Sequence, residues 1–250
     1  EVSSRLKVPA STIRFWENQA MKQDPFLTEI TLSANSNKDH YYFKNDLKLN
    51  YRGDRTRSSL LSNTQDFDQS LHNWIRDFSN DLQYVPQLRN KNILNLGWNL
   101  NYFNQPQTLL IDPGLNADLL NGGEPFREID QFAEIPTWYN QLSLAYQLPR
   151  GLIRQAYRFS STNEFQQLNS ALRLMQNDGT IRPYAGSEDN GLDWRKNEFS
   201  LSGNYEYKKG RIEATLGLPL IFQHINYEDG AFDLDVNRSR LLFSPTFRTK

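Results

Sequence analysis

The chain has 250 residues, 38% hydrophobic and 13% aromatic, with a formal net charge of -1 and no cysteine. That balance provides no basic field for nucleic acid. So many aromatics exclude a disordered chain, and the missing cysteines exclude disulfides and thiolate metal sites. No run of 18 apolar residues occurs, so no helix of this sequence spans a bilayer. A mean hydropathy of -0.72 leaves a β-barrel open, because only alternate residues of its strands face lipid.

Residues 1–25 carry no two-residue period and read as an irregular or external segment. Ser11 suits the cap of a short helix running to about Lys22, which Asp24-Pro25 would stop. Glu1-Val-Ser-Ser lacks the basic start and apolar core of a signal peptide, so the sequence is expected to be mature protein or an internal piece.

From Phe26 the hydrophobic period is two, and nine strands follow. The first sets Ile30, Leu32 and Ala34 against Glu29, Thr31 and Ser33. The second, from about His40 to Leu60, opposes Tyr41, Phe43, Leu47, Leu49 and Tyr51 to Lys44, Asp46, Lys48, Asn50 and Arg52. The third opposes Trp74, Phe78, Leu82 and Tyr84 to Asp77, Ser79, Asp81 and Gln83. The fourth, Asn92–Phe103, alternates most cleanly: Leu94, Leu96, Trp98, Leu100 and Tyr102 on one face, Asn95, Gly97, Asn99 and Asn101 on the other. The fifth carries Leu142, Leu144, Tyr146 and Leu148; the sixth Ile153, Tyr157 and Phe159. Between the sixth and seventh, Asn163–Gln176 fits a helix through Phe165, Leu168, Leu172 and Met175, and a strand through Leu168, Leu172 and Leu174. It is expected to be a loop element capping one end. The seventh strand carries Phe199, Leu201, Tyr205 and Tyr207. The eighth carries Ile212, Ala214, Leu216, Leu218 and Leu220, and the ninth Leu241, Phe243 and Phe247.

The connections alternate in length. Asn35–Asp39, about Pro86–Lys91, Pro149–Gly151 and Lys208-Lys209-Gly210 are hairpin turns. About Leu61–Gln69, Asn104–Pro136, Asn163–Trp194 and Tyr227–Asp233 are longer. A barrel inserted from one side of a membrane has short turns on that side and long loops outside. Tyr41, Tyr84, Tyr146, Tyr205 and Tyr207 lie near the short turns, and Tyr102, Trp74, Trp138 and Tyr227 near the long ones, as two aromatic girdles would. The expected fold is all-β: an antiparallel meander of about nine long strands forming part of a large transmembrane β-barrel, with long external loops. A half-buried soluble sheet would show the same alternation in any single strand.

Phe43–Leu61 (F-K-N-D-L-K-L-N-Y-R-G-D-R-T-R-S-S-L-L), Phe78–Pro86 (F-S-N-D-L-Q-Y-V-P) and Pro106–Gly114 (P-Q-T-L-L-I-D-P-G) resemble the TonB-dependent receptor barrels of Bacteroidetes, in the branch with a carboxypeptidase-regulatory-like N-terminal domain. The likeness is one of texture and order over residues 25–250. It implies a 22-stranded outer-membrane barrel holding an N-terminal plug. Nine strands are too few, no plug or TonB-contacting segment is expected before residue 1, and Phe247-Arg-Thr-Lys250 does not read as the terminal aromatic of such barrels. Residues 26–250 are therefore expected to be an incomplete barrel in a bacterial outer membrane. Its expected partners are lipid, a plug domain with the remaining strands, and a TonB complex reached through the plug.

No catalytic constellation appears, and no enzyme activity or cofactor is expected. His40, His72 and His224 lack metal-ligand spacing, and Gly122-Gly123 is a turn signal. Asp233, Asp235 and Asn237, after Glu228-Asp229, could offer oxygens to calcium, as could Glu188-Asp189-Asn190 with Asp193. The EF-hand glycine and closing glutamate are missing, and a solvated loop is the plainer reading. The rival to a transport barrel is a soluble or surface-attached β-sandwich that stacks sugar rings on Trp16, Trp138 or Trp194. The two differ in one respect: the Leu and Phe rows stay exposed in a barrel and are buried in a sandwich.

Overall fold

A computed structural model describes residues 21–62, 65–89, 91–114, 116–149, 151–184, 190–229 and 233–249. It is a single antiparallel sheet. In chain order the strands are β1 (Met21–Lys38), β2 (Tyr41–Ser62), β3 (Gln65–Pro86), β4 (Ile93–Asn104), β5 (Gln107–Asp112), β6 (Glu128–Glu134), β7 (Thr137–Leu148), β8 (Ile153–Met175), β9 (Ile181–Pro183), β10 (Asn190–Lys209), β11 (Ile212–Asp229), β12 (Leu234–Phe243) and β13 (Thr246–Thr249). One short helix, α1 (Ala117–Leu120), lies between β5 and β6. The main path runs β1-β2-β3-β4-β7-β8-β10-β11-β12.

Several of these strands are pieces of one stave. β3 pairs Arg76 with Asn104 of β4 and Asn73 with Gln107 of β5, so the register is unbroken across Gln105-Pro106. β8 pairs Asn169 with Glu134 of β6 and Gln166 with Thr137 of β7, again unbroken across Pro136. β12 and β13 continue one register on β11 across Pro245. Proline has no N–H to give the ladder, so a donor is missing there, while the alignment persists and the Pro106 and Pro136 carbonyls still accept from Trp74 N and Gln167 N. Nine staves result, in the order that the alternation predicts.

The staves are longer than their sequence pattern suggests. β2 and β3 each have 22 residues and are joined through residues 63 and 64, so the long connection expected over Leu61–Gln69 is mostly strand. The connection expected over Asn104–Pro136 contains β5 and β6. Asn163–Gln176, expected as a loop element, is strand through Met175: β6 and β7 pair it on one side, β9 and β10 on the other. Two-sided pairing there overrides the helical spacing of Phe165, Leu168, Leu172 and Met175. Residues 21–25, expected in the irregular segment, belong to β1, where Pro25 sits on an edge strand as the missing N–H allows. Ser11 and Trp16 lie outside the described residues.

Short hairpins close the other end. Asp39-His40 links β1 to β2, and Gly210-Arg211 links β10 to β11, with Gly210 at φ 61°. A positive φ favours glycine in so tight a turn.

Among the described residues no second layer packs on this sheet. The only hydrophobic residues buried among those described are Phe67, Phe126, Ile129 and Leu174. Phe126, Ile129 and Leu174 form one small cluster with Ile111, Ala117, Leu120 and Leu172 around it. Among the described residues no helix is long and apolar enough to cross a membrane, which says nothing about strands.

Candidate functional site: an apolar band backed by a polar wall

Directly paired residues of an antiparallel sheet project to the same face. Following the register from β1 to β13 therefore sorts the side chains into two faces. One carries Ile30, Leu32, Leu49, Phe78, Leu82, Leu96, Trp98, Leu100, Leu142, Leu144, Phe159, Phe199, Leu201, Leu216, Leu220, Phe222, Leu241 and Phe243. Many of these are widely exposed: Leu32 at 61%, Leu142 at 49%, Leu201 at 53% and Leu241 at 65%. A core would bury them; here they form the surface.

This apolar surface has two borders. Near the short hairpins lie Tyr41, Tyr84, Tyr146, Tyr157, Tyr205 and Tyr207, with Tyr41 and Tyr84 6.1 Å apart between ring centroids and Tyr157 and Tyr205 6.0 Å apart. At the opposite border lie Tyr51, Trp74, Tyr102, Trp138 and Phe165. Tyr51 stacks on Trp74 at 5.6 Å, and Tyr102 meets Trp138 at 4.5 Å. Trp74 lies over the backbone of Gly53, in the space a Cβ there would fill. From Tyr41 to Tyr51 is 11 residues and from Tyr102 back to Leu94 is 9, close to the 9–11 residues of a strand that crosses a bilayer at a tilt.

Two polar pairs in the band satisfy each other, while the buried Asn45 Oδ1 between Phe43 and Leu47 has no hydrogen-bond partner among the described residues. Trp98 donates its Nε1–H to Asn140 Oδ1 at 2.8 Å. Asn163 donates to Asn197 Oδ1 at 2.7 Å. Such closed pairs are what an apolar surrounding demands.

The opposite face, at the same height, is polar. Lys44 pairs with Asp46 at 2.7 Å and Lys196 with Glu198 at 3.4 Å. Between those charged strips run amides and hydroxyls: Gln83 donates to Asn95 at 3.5 Å, Asn101 to Asn99 at 2.5 Å, and Gln141 to Thr162 at 3.5 Å.

Past Tyr51, Trp74 and Trp138 the two faces exchange character. The banded face turns polar, with Arg55, Arg57, Ser70, His72, Glu134 and Asn169. Asn104 and Asn169 donate to the two oxygens of Glu134 at 3.0 and 3.2 Å. The opposite face turns apolar, with Leu71, Leu109, Ile111, Ile129, Leu172 and Leu174, over which the segment holding α1 and Phe126 folds. The sequence contains this reversal in Leu109/Ile111 and Leu168/Leu172/Leu174, but reading those stretches as connections hides it.

The aromatic positions expected at the girdles lie on the banded face, except Tyr227, which is on the opposite face near Trp194 at 6.3 Å. Trp138 belongs to the band border and Trp194 to the opposite face, so the two are not gathered on one sugar-stacking surface. The histidines stay apart. The His40 carbonyl accepts from Gln87 N at 2.8 Å, His72 bonds Ser70 at 3.1 Å, and His224 bonds Ser239 at 2.8 Å. Asp233 lies in a turn at φ 50°, while Asp235 and Asn237 follow along one face of β12. No group of three or more His, Asp or Glu able to hold a metal occurs among the described residues. Glu188 and Asp189 lie outside them.

No protein-family model matches the chain, and no curated protein matches it significantly.

Proposed function

We propose that this chain is part of the wall of an outer-membrane transport barrel, with its apolar band in lipid and its polar face lining a wet passage. The observation that carries this reading is the bounded band. Exposed Leu and Phe rows end at aromatic borders on both sides, at the height of a membrane strand. In a β-sandwich those rows would be covered by a second sheet, and among the described residues no such layer packs on them. The two outermost staves, β1 and β12, each pair on one side only, as staves do when neighbouring strands complete a wall. The likeness to TonB-dependent receptors adds the role: uptake of a nutrient too large for simple porins, with energy coupling through a plug.

Vesicle flotation tests the reading. The chain is expected to require detergent, to float with phospholipid vesicles, and to migrate differently on gels with and without boiling. A stable monomer in plain buffer that ignores vesicles overturns it.

A further inference from the structure

At the end of the sheet away from the short hairpins, the face behind the band carries an open cavity of about 590 Å³ between β11 and β12. Its floor is apolar: Ile225, Tyr227, Leu234 and Val236. Its charged side is Arg238 and Arg240. The register explains the assembly. Tyr227 pairs with Val236 and with Trp194, Ile225 with Arg238 and Lys196, and Gln223 with Arg240 and Glu198. Three rows therefore stack down one face: aromatic, then cationic around an isoleucine, then a polar network.

Within that network most charges are already engaged. Glu198 accepts from Gln223 at 3.1 Å and pairs with Lys196 at 3.4 Å. Arg240 donates to the Gln223 carbonyl oxygen. Asp229, buried beside Leu234, is held by interactions of its own. Arg238 is exposed, lines the cavity and stands opposite Ile225 in the register. A guanidinium presents a planar fork that takes a carboxylate through two parallel hydrogen bonds. An apolar floor next to that fork suits a ligand with an apolar ring and one acidic group. Of the neutral polar groups in the lining, Gln223 is engaged by Glu198 and Arg240 and Ser239 by His224, which leaves a polyol few partners beside Tyr227.

We infer that this cavity binds a small aromatic carboxylate. The acid group sits on Arg238, with Arg240 next to it, and the ring lies on Ile225 and Val236 against Tyr227. The inference rests on the reading that this face lines a passage open to water, and it names a ligand class for it.

2-Naphthoate is the probe, measured by titration calorimetry on the whole chain in detergent micelles. 2-Naphthylmethanol has the ring without the charge and reports partition into the micelle. Acetate has the charge without the ring. Binding of 2-naphthoate at least tenfold tighter than either is expected. Arg238→Gln should remove about tenfold of it, and Arg238→Lys should restore part, because a point charge replaces the fork. Arg238 is exposed on an edge strand, and an unchanged circular dichroism spectrum identifies a folded variant. Tyr227→Leu is a second, independent variant and should weaken naphthoate and naphthylmethanol together. Equal binding of naphthoate and naphthylmethanol overturns the inference, as does naphthoate binding indifferent to Arg238→Gln in a folded chain. Vesicle flotation of the same preparation separates the two readings. A chain that floats without preferring naphthoate refutes the ligand alone, and a chain that binds naphthoate without floating refutes the membrane setting alone.

Discussion

His72 stands just past Trp74, where the banded face turns polar. Partial burial, then Arg55 and Arg57, hold its imidazole below the ordinary value of 6.5. A histidine held neutral by the fold adds stability that is fully present above pH 6.5 and is lost as pH falls through that value toward the lowered folded one. Glu128, nearby on the same face, behaves oppositely. Burial and then the Asp112 carboxylate push its acid above the usual range, with Asp130 adding and Arg127 opposing. Its contribution is present in acid and lost as pH rises through the raised value. Histidine proton NMR should therefore give His72 a midpoint below 6.5, moved upward by Arg55→Gln with Arg57→Gln; a midpoint unmoved by both changes refutes the charge coupling. Gly53 supplies a second residue-level test. Its bare Cα leaves room for the Trp74 ring, which is stacked on Tyr51. Gly53→Val is expected to cost about 1–3 kcal/mol by overpacking and to shift Trp74 fluorescence. Neither effect was legible in the sequence, because Gly53, Trp74, His72 and Arg55 are brought together only by the β2–β3 register.

Strand identity was legible where one face is consistently apolar. Leu94 through Tyr102 in β4 and Ile212 through Leu220 in β11 alternate without a break, and both are strands with that orientation. Strand length was not legible, for a physical reason. Past the band the two faces exchange polarity, so a single apolar phase stops at Tyr51 or Trp138 although the hydrogen-bonded ladder continues. β8 shows this best: Tyr157 and Phe159 belong to one phase, Leu168, Leu172 and Leu174 to the other. Adjacent residues of β10 test which face meets lipid. Leu201→Arg, on the band, should cost about 2–4 kcal/mol in detergent or lipid, falling toward zero near the borders. Ser202→Arg, on the opposite face, should cost little. Denaturant titration in micelles measures both, and equal costs would refute the assignment of faces. Hydrogen exchange should also divide the staves. Amides of Leu96–Leu100, inside the band, should exchange more slowly than those of Leu71–Asn73 beyond it, where the banded face turns polar.

At the scale of the whole molecule, the sheet is open among the described residues. β1 has 18 residues and β12 has 10, and each offers one side without a partner among the described residues. Long unpaired edges promote association. The chain alone in detergent should therefore self-associate at micromolar concentration, as sedimentation velocity would report; a strict monomer would mean that the edges are capped. The order of the nine staves could be read from alternation and turn residues. Their continuity past Pro106, Pro136 and Pro245 could not, since proline ordinarily marks the end of a strand. Pro106 and Pro136 stand on neighbouring staves at nearly the same height, just past the Tyr102–Trp138 pair. Each proline withholds one N–H from the ladder, although the Pro106 carbonyl still accepts from Trp74 N at 3.0 Å and the Pro136 carbonyl from Gln167 N at 3.2 Å. Such a line is a crease: the sheet is less stiff across it without losing its place. If the tips tilt, this is where they tilt, and no strand has to slip to allow the movement.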